Sequence, residues 1–276
     1  MTTPRSTIAG RAGYYTTAAA LAILFLFPLV WSGWSSVKGQ PGSSQASGYG
    51  FGNYGYLASY GEGLWTYLVN TAAVTAMTVA GTLVVSALGG YGFARFDFPG
   101  KNLRFLAALA ILMVPYATIL IPLYVLLDRL GLQNSLVGLS LVFIMFQLPF
   151  ALFMMRNSFE AVPRELEEAA LVDGCTTLTA LRRVLLRAVR PGLVTVALFA
   201  FLASWNDFFA PLILISDASK FTLPVAVYSM QQRTFGAIDY GALEAGVVVM
   251  ALPCMLIFLL LQRHYVRGFL TGALRG

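Results

Sequence analysis

The sequence predicts an all-α integral membrane protein, and three observations carry that reading. The chain of 276 residues is 58% hydrophobic and 11% charged, whereas soluble domains run near 25% charged. Its mean hydropathy is +0.74. Apolar runs longer than about 18 residues recur with almost no charge, the length a helix needs to cross the hydrocarbon core of a bilayer. Charged residues gather between those runs, so the net charge of +6 is a topology signal and not a nucleic-acid footprint. One membrane domain with six spans is expected.

The first 13 residues are polar, with Arg5 and Arg11, and an apolar run over residues 14–34 follows. A basic stretch before a hydrophobic core also describes a signal peptide. This core is long for one, however, and no A-x-A cleavage site follows. It reads as an uncleaved first span, with Trp31 and Trp34 in the outer interface belt. Residues 35–63, rich in Gly, Ser, Gln and Tyr, read as a loop. The second span, residues 64–93, carries Gly81, Gly89 and Gly90 among other small residues that let helices approach closely in lipid. Residues 95–104 form a charged turn around Pro99-Gly100. The third span, residues 105–127, contains Pro115 and Pro122. The fourth, residues 136–155, is expected to break at Pro149. A fifth span over residues 192–215, a second outer loop over 216–240, a sixth span over 242–261 and a basic tail complete the chain. Cys175 lies in a polar interval and Cys254 in an apolar run, so no disulfide is expected. The single His264 reads as an interfacial residue at a helix end.

The longest polar interval is residues 163–191. Three of the chain's 12 acidic residues stand there within four positions, as Glu165, Glu167 and Glu168. The interval reads as two short helices. Pro163 suits a first helical position, and the glutamates suit the positive end of the helix dipole. Gly174 can end that helix in a left-handed conformation. In the second helix Leu178, Leu181, Leu185 and Ala188 share one face, and Arg183, Arg187 and Arg190 another. Ala169 and Ala170 put little bulk on the first helix, so a partner can approach its backbone. A solvated amphipathic loop lying on the membrane is the alternative.

Sorting the basic residues sets the orientation. With the N-terminus inside, 14 of the 18 Lys and Arg residues fall in cytoplasmic segments. Lys38, Arg129, Lys220 and Arg233 make up the remaining 4 of those 18. The positive-inside rule then places both termini and residues 163–191 in the cytoplasm.

Glu168-Ala169-Ala170, then Asp173-Gly174, then Val184, Leu186 and Pro191 resemble the EAA loop of bacterial ABC importer permeases. The chain departs from that pattern at Cys175, where Ala is usual, at Leu181, where an aromatic is usual, and at Arg187, where Pro is usual. Asn70-Thr71, YGFARFDFPG over residues 91–100, Pro122-Leu123-Tyr124, Trp205-Asn206-Asp207 and the segment from Gln262-Arg263 to Arg275-Gly276 extend the likeness over most of the chain. Together they resemble the MalG-like permeases of carbohydrate-type ABC importers. The resemblance implies a type I importer permease fold with a cytoplasmic EAA coupling helix, in a bacterial or archaeal cytoplasmic membrane. It implies a heterodimer with a second permease subunit, two ABC ATPase subunits and an extracytoplasmic solute-binding protein. It also implies import of a sugar or sugar-like solute. Glu168, Ala169, Ala170, Asp173 and Gly174 would then transmit the ATPase motion.

The chain itself has no site for the nucleotide. Its one Gly-Lys pair, Gly100-Lys101, has Arg95 at the first-glycine position of a P-loop and Asn102 where Ser or Thr is required. No cofactor is therefore expected on this chain, and ATP and Mg²⁺ belong to the partner ATPases. A secondary carrier is the alternative function, but Asp207 and Glu244 lie near span ends and no buried carboxylate relay is apparent. A membrane-embedded enzyme would need a convergent acid, base or metal set, and one His with dispersed carboxylates does not supply it. Trp205 and Asn206 could line the translocation path, or could anchor an interface or make an interhelical hydrogen bond. Asn70 poses the same question and reads more naturally as packing. Lys220, Gln231, Gln232 and Arg233 could make polar contacts with the binding protein.

Overall fold

A computed structural model of the protein describes residues 5–41, 43–232 and 238–273. Arg233, Arg275 and the side chain of His264 lie outside what it describes. The helices are α1 (Arg5–Val37), α2 (Gly52–Ser59), α3 (Leu64–Arg95), α4 (Lys101–Ala110), α5 (Tyr116–Arg129), α6 (Leu136–Glu160), α7 (Arg164–Val172), α8 (Thr177–Ala180), α9 (Leu186–Ala188), α10 (Arg190–Asn206), α11 (Phe209–Leu214), α12 (Leu223–Gln231) and α13 (Tyr240–Ala273). A π turn, Leu181–Leu185, joins α8 to α9. Among the described residues extended segments meet only at an isolated bridge between Lys38 and Tyr49.

Among the described residues, four helical segments are long and apolar enough to cross a membrane: Gly13–Val37, Leu64–Arg95, Leu136–Glu160 and Tyr240–Leu260. Six are reached when two bent pairs each count as one span. Lys101–Met113 and Tyr116–Arg129 meet at 105°, and Thr177–Ala188 and Arg190–Asn206 at 80°. The third expected span is thus sharply broken. Val114 is extended (φ −85°, ψ 128°) because a residue before proline is disfavoured in the helical region, and Pro115 lacks the N–H that would continue the ladder. The break expected at Pro149 does not occur. α6 runs through it, and Pro149 is buried among neighbours that hold the helix.

The fifth expected span is also interrupted. α10 stops at Asn206, Asp207 is extended (φ −71°, ψ 129°), and α11 starts at Phe209. The Asp207 side chain competes for the backbone, its Oδ1 accepting from the Ala210 N–H at 2.9 Å. Both segments read as outer loops contain a helix, α2 in the first and α12 in the second.

The chain divides into two compact units, Met1–Leu64 with Val227–Leu252, and Trp65–Ala226 with Pro253–Gly276. In the first, the span of α1 has none of its apolar window buried within the chain, as expected of a helix that faces lipid or a partner. The Gly- and Ser-rich segment after it is ordered by polar contacts. Ser44 donates its N–H and hydroxyl to Asp239 Oδ2 at 2.5 and 2.6 Å. Asp239 Oδ1 caps α13 through the Ala242 N–H at 2.9 Å. Asn53 is fully buried and donates to the Ser36 carbonyl at 2.9 Å.

Two apolar cores stand out among the described residues of the second unit. One joins Val74 of α3, Leu120, Leu123 and Leu127 of α5, Leu139, Val142 and Phe143 of α6 and Leu214 of α11. The other joins Tyr91 and Ala94 of α3, Met155 and Phe159 of α6, Leu181 and Leu185 of the π turn, Val189 and Val196 of α10. Gly90 allows the close approach of α3 to α6, since a Cβ there would stand 2.5 Å from Met155 Cβ and 2.9 Å from the Arg156 nitrogen.

Candidate functional site

The polar interval folds as a compact helical hairpin. Pro163 precedes its first helix as the N-cap and not as its first residue, with φ −55° and ψ 139°. Glu165 and Glu167 fall in the first turn of α7, where negative charge meets the positive end of the helix dipole. Gly174, at φ +87°, ends α7. Its N–H bonds the Leu171 carbonyl at 3.0 Å and the Cys175 N–H bonds that of Ala170, also at 3.0 Å. This Schellman closure satisfies carbonyls that the helix would leave open and needs a residue tolerant of positive φ. Thr176 then caps α8, its side chain accepting from the Thr179 N–H at 3.3 Å.

One side of this hairpin is open. Glu168, Ala169, Asp173 and Gly174 are exposed, and Val172 is 87% and Leu178 57% exposed. The other side is locked to the chain. Ala170 is buried, so of the two alanines only Ala169 leaves the backbone accessible; the small size of Ala170 serves packing within the chain. Leu181, Leu185 and Val189 enter the core shared with α3, α6 and α10. Val189 takes the place expected of Ala188, because the π turn shifts the facing of the residues after it; Leu178, in the first turn of α8, stays outside. Arg182, Arg183, Arg187 and Arg190 are exposed. Arg187, at the usual proline position, fills no core site, and the turn into α10 is made at Val189 (φ −90°, ψ 13°) with a proline in the first turn of α10.

Three further residues hold α7, and residue pattern alone assigned them no such role. Glu167 accepts a hydrogen bond on Oε1 from the Tyr91 hydroxyl. Its Oε2 lies 3.1 Å from Arg95 Nε, in an ion pair whose angle falls outside hydrogen-bonding geometry. Arg95 Nη2 donates to the Val162 carbonyl at 2.8 Å. The Arg95 and Glu167 side chains are only 7% and 13% exposed. Beside them an open cleft of about 570 Å³ is lined by Ala94, Arg95, Lys101, Glu160, Val162 and Pro163, among others. The spacing of Tyr91 and Arg95, one helical turn apart at the end of an apolar run, was the available signal. It names no partner.

The residues proposed for a solute path separate. Asn70 is buried and donates to the carbonyls of Ser219 at 2.9 Å and Phe221 at 3.0 Å. Trp205 is buried and stacked on Phe201, ring centroids 5.5 Å apart. Asn206 is exposed and donates to the Leu202 carbonyl at 2.9 Å and to Cys254 Sγ at 3.5 Å. Asp207 turns the other way, its Oδ2 accepting from the Tyr116 hydroxyl at 3.0 Å.

Residues 86–270 match the family described as binding-protein-dependent transport system inner membrane component. The chain belongs to this family. It is 36% identical over 219 residues to the diacetylchitobiose uptake system permease protein DasC of Streptomyces coelicolor, covering 79% of each chain. It is 33% identical over 258 residues to the trehalose transport system permease protein SugB of Mycobacterium tuberculosis, covering 94% of this chain and 93% of that one. A chain in the crystal structure of a bacterial ABC transporter involved in the import of the acidic polysaccharide alginate superposes with a TM-score of 0.78 at 20% identity. The superposition covers 95% of this chain and 98% of that one. The fold is therefore that of a type I ABC importer permease, and the protein is a multi-pass inner membrane component.

Proposed function

We propose that this permease carries a sugar or sugar-like solute into the cytoplasm as one half of a heterodimeric ABC importer. An extracytoplasmic binding protein delivers the solute, and two separate ATPase subunits bind ATP and Mg²⁺ and hydrolyse the nucleotide. This chain performs no chemistry. Both termini and the α7–α9 hairpin lie in the cytoplasm, as the charge distribution requires. Glu168, Ala169, Ala170, Asp173 and Gly174 form the element that an ATPase moves. Asn206, the exposed polar side chain of the Trp205-Asn206-Asp207 turn, faces the solute path, while Trp205 and Asn70 brace the wall behind it. The relatives' carbohydrate substrates support the solute class.

The single observation that carries this reading is the hairpin's two-sidedness: a small, partly acidic outer face on a helix tied firmly to the spans behind it. A coupling element needs both. The test is the purified complex in liposomes. Glu168→Ala should assemble and hydrolyse ATP while uptake falls at least tenfold; unchanged uptake would remove Glu168 from that role. Wild-type uptake should cease on ATP depletion and survive a protonophore. The opposite pattern would favour an ion-coupled carrier.

A further inference from the structure

We infer that Tyr91, Arg95 and Glu167 form the joint through which movement of α7 reaches α3, and that they position the coupling helix. The inference rests on the reading of α7 as the coupling element. A short helix pushed on one face transmits motion only if its other face is fixed to a long one. Glu167 and Glu168 are neighbours, so on a helix turning by about 100° per residue they point in different directions. Glu168 is exposed, whereas Glu167 is turned inward with a side chain 13% exposed.

The carboxylate of Glu167 is divided between two residues of α3. Oε1 takes the Tyr91 hydroxyl and Oε2 faces Arg95 Nε at 3.1 Å. Arg95 reaches on through Nη2 to the Val162 carbonyl at 2.8 Å, directly before Pro163, the N-cap of α7. Arg95 thus holds α7 itself and the connection from α6. Tyr91 is fixed in turn, its ring edge-on to Phe159 of α6 at 5.6 Å and to Phe96 at 5.5 Å. The contacts sit in the last turn of α3, at the end of a membrane-length helix. Displacement of α7 therefore acts on the tip of a lever. A carboxylate held by the Tyr91 hydroxyl and paired with the Arg95 guanidinium, which itself donates to Val162, suits this task better than apolar contact, because apolar surfaces slide while directed bonds fix orientation.

The test compares Tyr91→Phe, Glu167→Gln and the double variant in the reconstituted complex, with solute delivered by the binding protein. Uptake and ATP hydrolysis are measured together, and assembly is followed by co-purification. Tyr91→Phe removes one oxygen and keeps the ring packing, so it carries the test should Glu167→Gln fail to assemble. The expected result is normal assembly, hydrolysis within twofold of wild type and solute moved per ATP reduced about fivefold or more. The double variant should be no worse than the more severe single one, as residues of one joint are not additive. Wild-type solute per ATP in assembled variants, or a plain product of effects in the double variant, overturns the inference. Wild-type protein showing no ATP-dependent uptake would instead overturn the importer reading on which it rests.

Discussion

Arg95 and Glu167 show how burial decides what a charge pair is worth. With side chains 7% and 13% exposed, removing one partner strands the other away from water, at a cost of about 3–5 kcal/mol. Arg95→Ala should therefore lower the thermal unfolding midpoint of the purified permease markedly. The Arg156–Glu160 pair is shorter, at 2.8 Å, but its side chains are 21% and 44% exposed. Glu160→Ala should cost no more than about 0.5 kcal/mol in the same measurement. Asp217 illustrates a third environment. Ser219 donates its hydroxyl at 2.7 Å and its N–H at 3.0 Å to Asp217 Oδ1, and these bonds hold the carboxyl below the usual carboxylate range. A depressed folded pKa stabilises above the unfolded value, about 3.9, and that contribution disappears as pH falls through the folded one. Ser219→Ala should return the carboxyl toward its ordinary range, as read by a spectroscopic titration of the carboxylate.

Helix ends and helix contacts set the behaviour of the elements. α7 is 9 residues long, too short to persist alone, so its geometry depends on its closure and on its core. Gly174→Ala forces a side chain into φ +87°, at about 1–2 kcal/mol. Hydrogen exchange should report a frayed end of α7 with the spans unchanged. Gly90→Ala acts elsewhere. A Cβ 2.5 Å from Met155 Cβ must push α3 from α6, at about 1–3 kcal/mol. The result should be a lower unfolding midpoint, with loss of solute per ATP only if the tip of α3 also moves.

For the whole molecule, the bilayer is the missing half of the packing. The span of α1 has none of its apolar window buried, and the apolar window of Tyr240–Leu260 has only 11%. Those surfaces suit lipid or the second permease subunit proposed above, since water cannot cover them at tolerable cost. The proposed orientation is testable in intact cells of a cysteine-free background. A membrane-impermeant thiol reagent should modify Ser219→Cys from outside and Val172→Cys only after permeabilisation. Reversed labelling would invert the topology.

The sequence by itself determined the solvent, the number of apolar runs and the charge asymmetry across them, because membrane partition and positive-inside orientation are sums over residues in a segment. It also marked Gly174 as a helix end, since that depends on one residue's backbone freedom. The Glu168-Ala169-Ala170 and Asp173-Gly174 pattern, on which the proposed coupling role rests, stands out in the sequence because its spacing is local. The partner of Glu167 was not. Tyr91 and Arg95 precede it by most of two spans, and nothing in one helix states which residue of another it meets. Nor could an apolar helix tell its inward face from its lipid face, as both read as hydrophobic. The tertiary structure decided that Pro115 breaks its span while Pro149 does not, since neighbouring side chains determine whether a proline's lost hydrogen bond bends the helix. It also decided that of two adjacent glutamates one faces outward, while the other is tied to α3.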